Sequence, residues 1–148
     1  MDTDDKLPEM HMLLLGLSHE HILVEIKALG IRNAVLFTSE NLLEDAKSFA
    51  ETLEGCRVKI HEIICVDPFQ SDSLDVMIKQ IRTVCAKYSE RYSVVCGLTG
   101  GTNLMAISMS MAALLEGLPC HYSLPRNINP VISVDYFRQN HGKVKKDA

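Results

Sequence analysis

The amino-acid sequence predicts an α/β protein, a Rossmann-like, mostly parallel sheet of about six strands flanked by helices and paired as a homodimer. Three features lead there. Short apolar runs alternate with amphipathic stretches at the spacing of βα units, a pattern that packs as a parallel sheet with right-handed crossovers. Three of those runs end in small or hydroxyl-rich segments, Gly16-Leu17-Ser18-His19, Thr38-Ser39-Glu40-Asn41 and Thr99 to Asn103. In such sheets ligands bind at the carboxyl ends of the strands. Finally, the stretch 102–116 is apolar nearly all round, and a helix of that kind needs cover on both faces.

His11 to Gly16 reads as a buried first strand. Ser18 is placed to cap a helix from His19 to Leu29, with Ile22, Leu23, Ile26 and Leu29 on one face, and Gly30 ends it. Asn33 to Thr38 is the second strand. Asn41 and Glu44 have capping-box spacing, and the helix behind them sets Leu42, Ala46, Phe49, Ala50 and Leu53 on one stripe. Gly55 stops that helix. Arg57 to Val66 is the third strand, its first half alternating as a half-exposed strand does. Asp67-Pro68 breaks the chain, and Asp72 or Ser73 starts a helix carrying Leu74, Met77, Ile78, Ile81, Val84 and Cys85. Tyr92 to Cys96 is the fourth strand, followed by the glycine corner and the helix Thr102 to Glu116, closed by Gly117. Pro119 to Ser123 and Val131 to Val134 are the fifth and sixth strands. In the 102–116 helix only Ser108 and Ser110 interrupt the apolar surface. The sheet covers one side of it, so a second subunit is expected on the other.

With 148 residues and a hydrophobic share of 47%, the chain is long enough for one substantial core. That core is assigned to a single domain, 11–140, between a disordered acidic leader, 1–10, and a basic tail, 141–148. The net charge is −4, of which −3 falls in residues 1–9, where Asp2, Asp4, Asp5 and Glu9 oppose Lys6. A binder of long nucleic acid needs a basic stripe that this chain lacks. No apolar run approaches the roughly 20 residues of a membrane span. Residues 12–17 are too short for a signal-peptide core, so a cytoplasmic location is expected. The five cysteines include no C-x-x-C pair and the six histidines no H-E-x-x-H spacing; neither a disulfide framework, a metal site nor a cofactor is expected.

The chemistry concentrates at Leu98-Thr99-Gly100-Gly101-Thr102-Asn103-Leu104-Met105. Adjacent glycines let a backbone approach a ligand closely, and the threonines add hydroxyls. The helix behind them presents free N–H groups and its positive dipole end to the same point, which suits a phosphate. By the same logic Gly16, Leu17, Ser18 and His19 face that point from the first loop. Thr38, Ser39 and Asn41 are placed to line a base pocket, although turn and cap roles also account for them. Arg126, in the Pro-rich loop Leu124 to Pro130, is either a solvated charge or a phosphate contact.

Strand, T-G-G-T-N-x-M corner and apolar helix together resemble the CARF domain, the CRISPR-associated Rossmann fold. That family carries a T-G-G-T-K-x-M-like motif after its fourth strand and a G-L-S-x-E-like loop after its first. The matching residues here are Thr99 to Met105 and Gly16-Leu17-Ser18-His19-Glu20. Asp67-Pro68 after the third strand also fits, and the likeness spans roughly residues 11–137. The resemblance implies binding of a cyclic oligoadenylate, above all cyclic tetra-adenylate, across the two-fold axis of a homodimer built on the 102–116 helix, in type III CRISPR antiviral signalling. Such a ring matches an isologous dimer, and cyclic hexa-adenylate has compatible symmetry.

Asn103 departs from the family, where many members have Lys. Asn offers neutral hydrogen bonds in place of a point charge. Some CARF proteins are ring nucleases that cleave their ligand without metal. In that reading Ser18, His19 and Asn103 are the catalytic candidates, with Thr102, the corner amides and Arg126 in support. No effector motif follows residue 140. That favours a ring nuclease for a complete protein and a ligand-sensing module for a fragment of a larger effector. Two further readings stay open: an α/β enzyme acting on a phosphorylated small molecule, and a dimeric regulatory module. G-x-G-x-x-G and P-loop signatures are absent.

Overall fold

A computed structural model describes residues 6–124 and 129–134 of the chain. Six strands form one sheet in the order β3-β2-β1-β4-β5-β6. They are β1 (Glu9–Leu14), β2 (Asn33–Ser39), β3 (Lys59–Val66), β4 (Ser93–Gly97), β5 (Cys120–Ser123) and β6 (Val131–Val134). The first five run parallel, and β6 pairs antiparallel with β5. Between the strands lie α1 (Glu20–Leu29), α2 (Leu43–Gly55), α3 (Ser73–Ser89) and α4 (Asn103–Glu116). This is the Rossmann-like architecture that the alternation predicts.

The central strands are buried on both faces, so β1 and β2 read as continuous apolar runs. Met10, Met12 and Leu14 pack with Val35 and Phe37 against Met77, Ile81, Val84 and Cys85 of α3 and Met105, Met109, Ala112 and Ala113 of α4. Leu13 and Leu15 pack on the other face, with Ile22 of α1 and Ala46, Phe49 and Leu53 of α2. The period-two alternation of the strand thus feeds two cores.

Local differences from expectation have local causes. β1 starts at Glu9 rather than His11 because Glu9 and Met10 pair with Ser93 and Val94 of β4. Ser18 does not cap α1: its Oγ lies 3.5 Å from the Glu20 N–H, and His19 occupies the N-cap position without a side-chain bond. Leu23 points outward, and His21, Ile22 and Glu25 are the buried face of α1. The Asn41–Glu44 capping box is replaced by a single 3-10 turn, Glu40–Leu42, because Asn41 Oδ1 accepts the Ser39 hydroxyl at 2.6 Å instead of a backbone amide.

α4 is apolar on two sides. Met105, Ser108, Met109, Ala112 and Ala113 are buried, and the Ser108 hydroxyl is satisfied by the Leu104 carbonyl at 2.8 Å. Ile107, Met111, Leu114 and Leu115 form an outward stripe at helical spacing, each 40–55% exposed.

Candidate functional site

In the sheet order β1 stands between β2 and β4, so the loops leaving β1 and β4 diverge to opposite faces and open a crevice at their carboxyl ends. Two loops meet there backbone to backbone. A Cβ on Gly16 would lie 3.1 Å from the Gly101 nitrogen. Gly100 has φ +108°, and a Cβ there would overlap His21 Nε2 and the Leu14 carbonyl. Those two atoms already share a hydrogen bond of 2.8 Å, in which the ring N–H donates to the carbonyl. Glycine at 16 and 100 is therefore a packing requirement of the corner.

Thr102 caps α4: its extended backbone turns the chain, and its Oγ1 accepts the Met105 N–H at 3.2 Å. Thr102 and Met105, at the start of that helix, both line the crevice. Thr99 Oγ1 accepts the Ser123 N–H at 2.8 Å. With that lone pair committed, its own O–H is free to donate to a crevice ligand.

The crevice encloses about 600 Å³. Gly16, Leu17 and Ser18 line it from the first loop, Ser39 and Asn41 from the second, and Thr99, Gly100, Gly101, Thr102 and Met105 from the corner. Leu15, Glu20, His21, Leu42 and Phe69, none of them among the binding residues expected from the sequence, complete the wall. Phe69 is 72% exposed on the loop after β3, its N–H held by Asp67 Oδ1 at 3.0 Å. With Ser39 and Asn41 it also borders an adjoining cavity of about 500 Å³ lined by Asp67 and Pro68. The Asp67-Pro68 breaker was a signal for this loop; nothing in the sequence ties Phe69 to the glycine corner.

Other candidates lie elsewhere. The His19 ring stacks on Phe49, centroids 4.3 Å apart, and is not part of the crevice wall. Thr38 is fully buried and donates to the Leu15 carbonyl at 3.0 Å, a bond that ties the β2 end to the first loop. Asn103 is exposed in the first turn of α4, outside the wall. Arg126 lies outside the described residues, as does the tail. Among the described residues no group of three or more His, Cys, Asp or Glu is arranged to hold a metal ion, and no helix is long and apolar enough to cross a membrane.

No family model and no curated protein matches the sequence. Solved structures do match the fold. Csm6 of Enterococcus italicus, bound to cyclic hexa-2'-fluoro-hexa-dAMP, superposes with a TM-score of 0.71 at 11% identity, covering 95% of this chain and 44% of that one. A type III CRISPR defence DNA nuclease activated by cyclic oligoadenylate gives 0.61 at 22% identity, over 80% of this chain and 20% of that one. The fold is CARF-like. Can2 from Sulfobacillus thermosulfidooxidans, in complex with cyclic tetra-adenylate, gives 0.57 at 21% identity, over 77% and 31%. The chain thus spans less than half the length of each of these CARF-domain proteins. In the CARF-like frame the T-G-G-T-N-x-M segment occupies the β4–α4 corner and the G-L-S-H-E segment the β1–α1 loop, the two stations that meet in the crevice.

Proposed function

We propose that the chain binds a cyclic oligoadenylate, cyclic tetra-adenylate in the first instance, across a homodimer in type III CRISPR antiviral signalling. The observation that carries this reading is the corner itself, where Gly16 packs against the Gly101 backbone and Gly100 against the end of β1, and all three glycines line the crevice before α4. Backbone amides and a helix dipole hold a phosphodiester without a cationic side chain, which offsets the missing lysine at position 103. Thr99 and Thr102 add hydroxyl contacts. Phe69 offers a face for a base, and Asn41 an amide for a base edge.

The outward stripe of α4 supports the dimer. Covering Ile107, Met111, Leu114 and Leu115 with their copies across a two-fold axis is worth about 1.5–3 kcal/mol for each side chain that becomes fully buried. The crevice opens at the N-terminal end of the same helix, so pairing along α4 brings two corners toward one axis. A two-fold ring then meets each corner in the same way.

The corner amides also favour a second reading, metal-independent cleavage of the bound ring. A ribose 2'-oxygen would attack the adjacent phosphorus, the bond to the 5'-oxygen would break, and a 2',3'-cyclic phosphate and a 5'-hydroxyl would result. Donors aimed at the phosphate oxygens stabilise the charge that develops there. Ser18 lines the crevice for this chemistry, whereas His19 is engaged with Phe49.

The deciding experiment incubates the purified protein with cyclic tetra- and hexa-adenylate in EDTA, measuring binding by calorimetry and products by chromatography. Binding with the ring intact is the expected result and marks a sensor. Linear products ending in a 2',3'-cyclic phosphate mark the ring nuclease. No binding of either ring at micromolar concentration overturns the proposal.

A further inference from the structure

Behind the corner, on the α1 side of the sheet, runs a chain of titratable side chains that the ligand reading does not use. Glu9 Oε1 lies 3.0 Å from His11 Nε2, and His11 Nδ1 lies 3.2 Å from His121 Nε2. His121 Nδ1 lies 3.4 Å from Glu25 Oε2 and has no hydrogen-bond partner of its own. Glu25 Oε2 accepts the Ser123 hydroxyl at 2.5 Å. The Ser123 N–H in turn donates to Thr99 Oγ1 in the crevice wall. His11, His121, Glu25 and Ser123 are all 3% exposed or less, while the Glu9 carboxylate reaches solvent.

Four buried polar side chains are tolerated in a dry site only where they meet one another, and His11, His121, Glu25 and Ser123 do so across three elements, β1, α1 and β5. Burial, against the opposing pull of the Glu9 hydrogen bond, lowers the His11 pKa, and the neighbouring His121 ring lowers it further. Among the described residues, α1 contributes Glu25 to this cluster and β1 contributes Glu9 and His11. His21, one turn before Glu25, is committed to the Leu14 carbonyl. β4 offers only Gly97 beside the His121 ring, and β6 places Ser133 opposite it in register.

We propose that Glu25, His121 and Ser123 are positioning residues for the anion corner. Through the contacts of Glu25 with the Ser123 hydroxyl and the His121 ring they lock the end of β5 to α1, and so hold the Thr99 hydroxyl where a phosphodiester can use it. The geometry supports a direct route. The His121 carbonyl accepts the Leu98 N–H at 2.9 Å, so the two residues that start the corner both hang on β5. The role in ligand affinity rests on the proposed phosphodiester site; the lock does not.

The test compares wild type with Glu25→Gln, Glu25→Ala and Ser123→Ala, each first checked for folding by circular dichroism. Gln at position 25 keeps an oxygen able to accept the Ser123 hydroxyl, whereas Ala removes the acceptor. The backbone amides of Thr99 to Thr102 should shift in Ser123→Ala and Glu25→Ala and stay near wild type in Glu25→Gln. Affinity for cyclic tetra-adenylate should fall about five- to tenfold in Ser123→Ala, on the order of one lost hydrogen bond, and stay within about twofold in Glu25→Gln. Corner amides that do not move in folded Ser123→Ala overturn the lock, and an unchanged affinity in that variant overturns its role in binding. If wild type binds no ring, the ligand reading fails, while the shifts of the corner amides still decide the lock. If Glu25→Ala does not fold, Ser123→Ala carries the same comparison.

Discussion

Replacing Gly100 with alanine tests the corner most directly. The residue has φ +108°, where an L side chain is strained by about 1–3 kcal/mol. Its new methyl would overlap His21 Nε2 and the Leu14 carbonyl. Relief requires moving the His21 ring, which gives up its 2.8 Å bond to Leu14, or pushing the corner off the end of β1. Overpacking of this kind costs about 1–3 kcal/mol, and the lost hydrogen bond about 1. Together the loss is on the order of 4 kcal/mol, a large part of the stability of a domain this size. At roughly 2–4 °C per kcal/mol, the midpoint of thermal unfolding should fall by roughly 10 °C. Gly30 is the control, because it also has positive φ (+65°) but nothing lies within 4 Å of an added Cβ. Gly30→Ala should cost about 1 kcal/mol, a few degrees. Thermal melts of both variants, with cyclic tetra-adenylate titrated into each, provide the measurement. A Gly100→Ala midpoint no lower than that of Gly30→Ala would refute the account of a corner packed directly on β1 and His21.

Three further outcomes are expected. Phe69→Ala removes an exposed ring, so its melting temperature should stay near wild type; if the ring stacks on a base, affinity for cyclic tetra-adenylate should drop about tenfold or more, since base–aromatic stacking is worth about 1–3 kcal/mol, and an unchanged affinity places the base elsewhere. Leu114→Glu with Leu115→Glu puts charge on the outward stripe of α4 while leaving its buried face intact; light scattering should report a folded monomer, and a persistent dimer would move the interface off this helix. At the other end of the sheet, the Glu62 carboxyl is held below the ordinary carboxylate range by Lys87 Nζ at 2.7 Å and by the Tyr88 hydroxyl. A depressed folded-state pKa gives stability that is present above the unfolded value, near 4.5, and lost as pH falls through the folded value. Urea midpoints should therefore drop more steeply with acid in wild type than in Glu62→Gln, and parallel profiles would remove Glu62 from the acid limb.

The βα alternation was legible because hydrophobic period and breaker residues are local signals. α2, α3 and β6 lie close to where their stripes and turn residues put them. Helix starts were less legible, since a cap depends on which neighbour reaches the amide first. Ser18 fits the pattern of a cap yet makes only a long contact, and Asn41 spends its oxygen on Ser39. The glycine corner, the apolar 102–116 helix and the small residues at the strand ends announce themselves in the sequence, because each is a run of neighbours with one property. What touches the corner is another matter. His21 beneath Gly100, Phe69 across the crevice and Ser123 behind Thr99 are brought there by strand order. Residues 11, 25 and 121 form one buried chain only because β1, α1 and β5 pack against each other. Sequence by itself determined the element types, the turn chemistry and the place where the backbone can cradle an anion, all set within a few residues. Tertiary structure alone decided which side chains line that place and which polar groups stand behind it, because those partners are distant along the chain and meet only when the sheet closes its order.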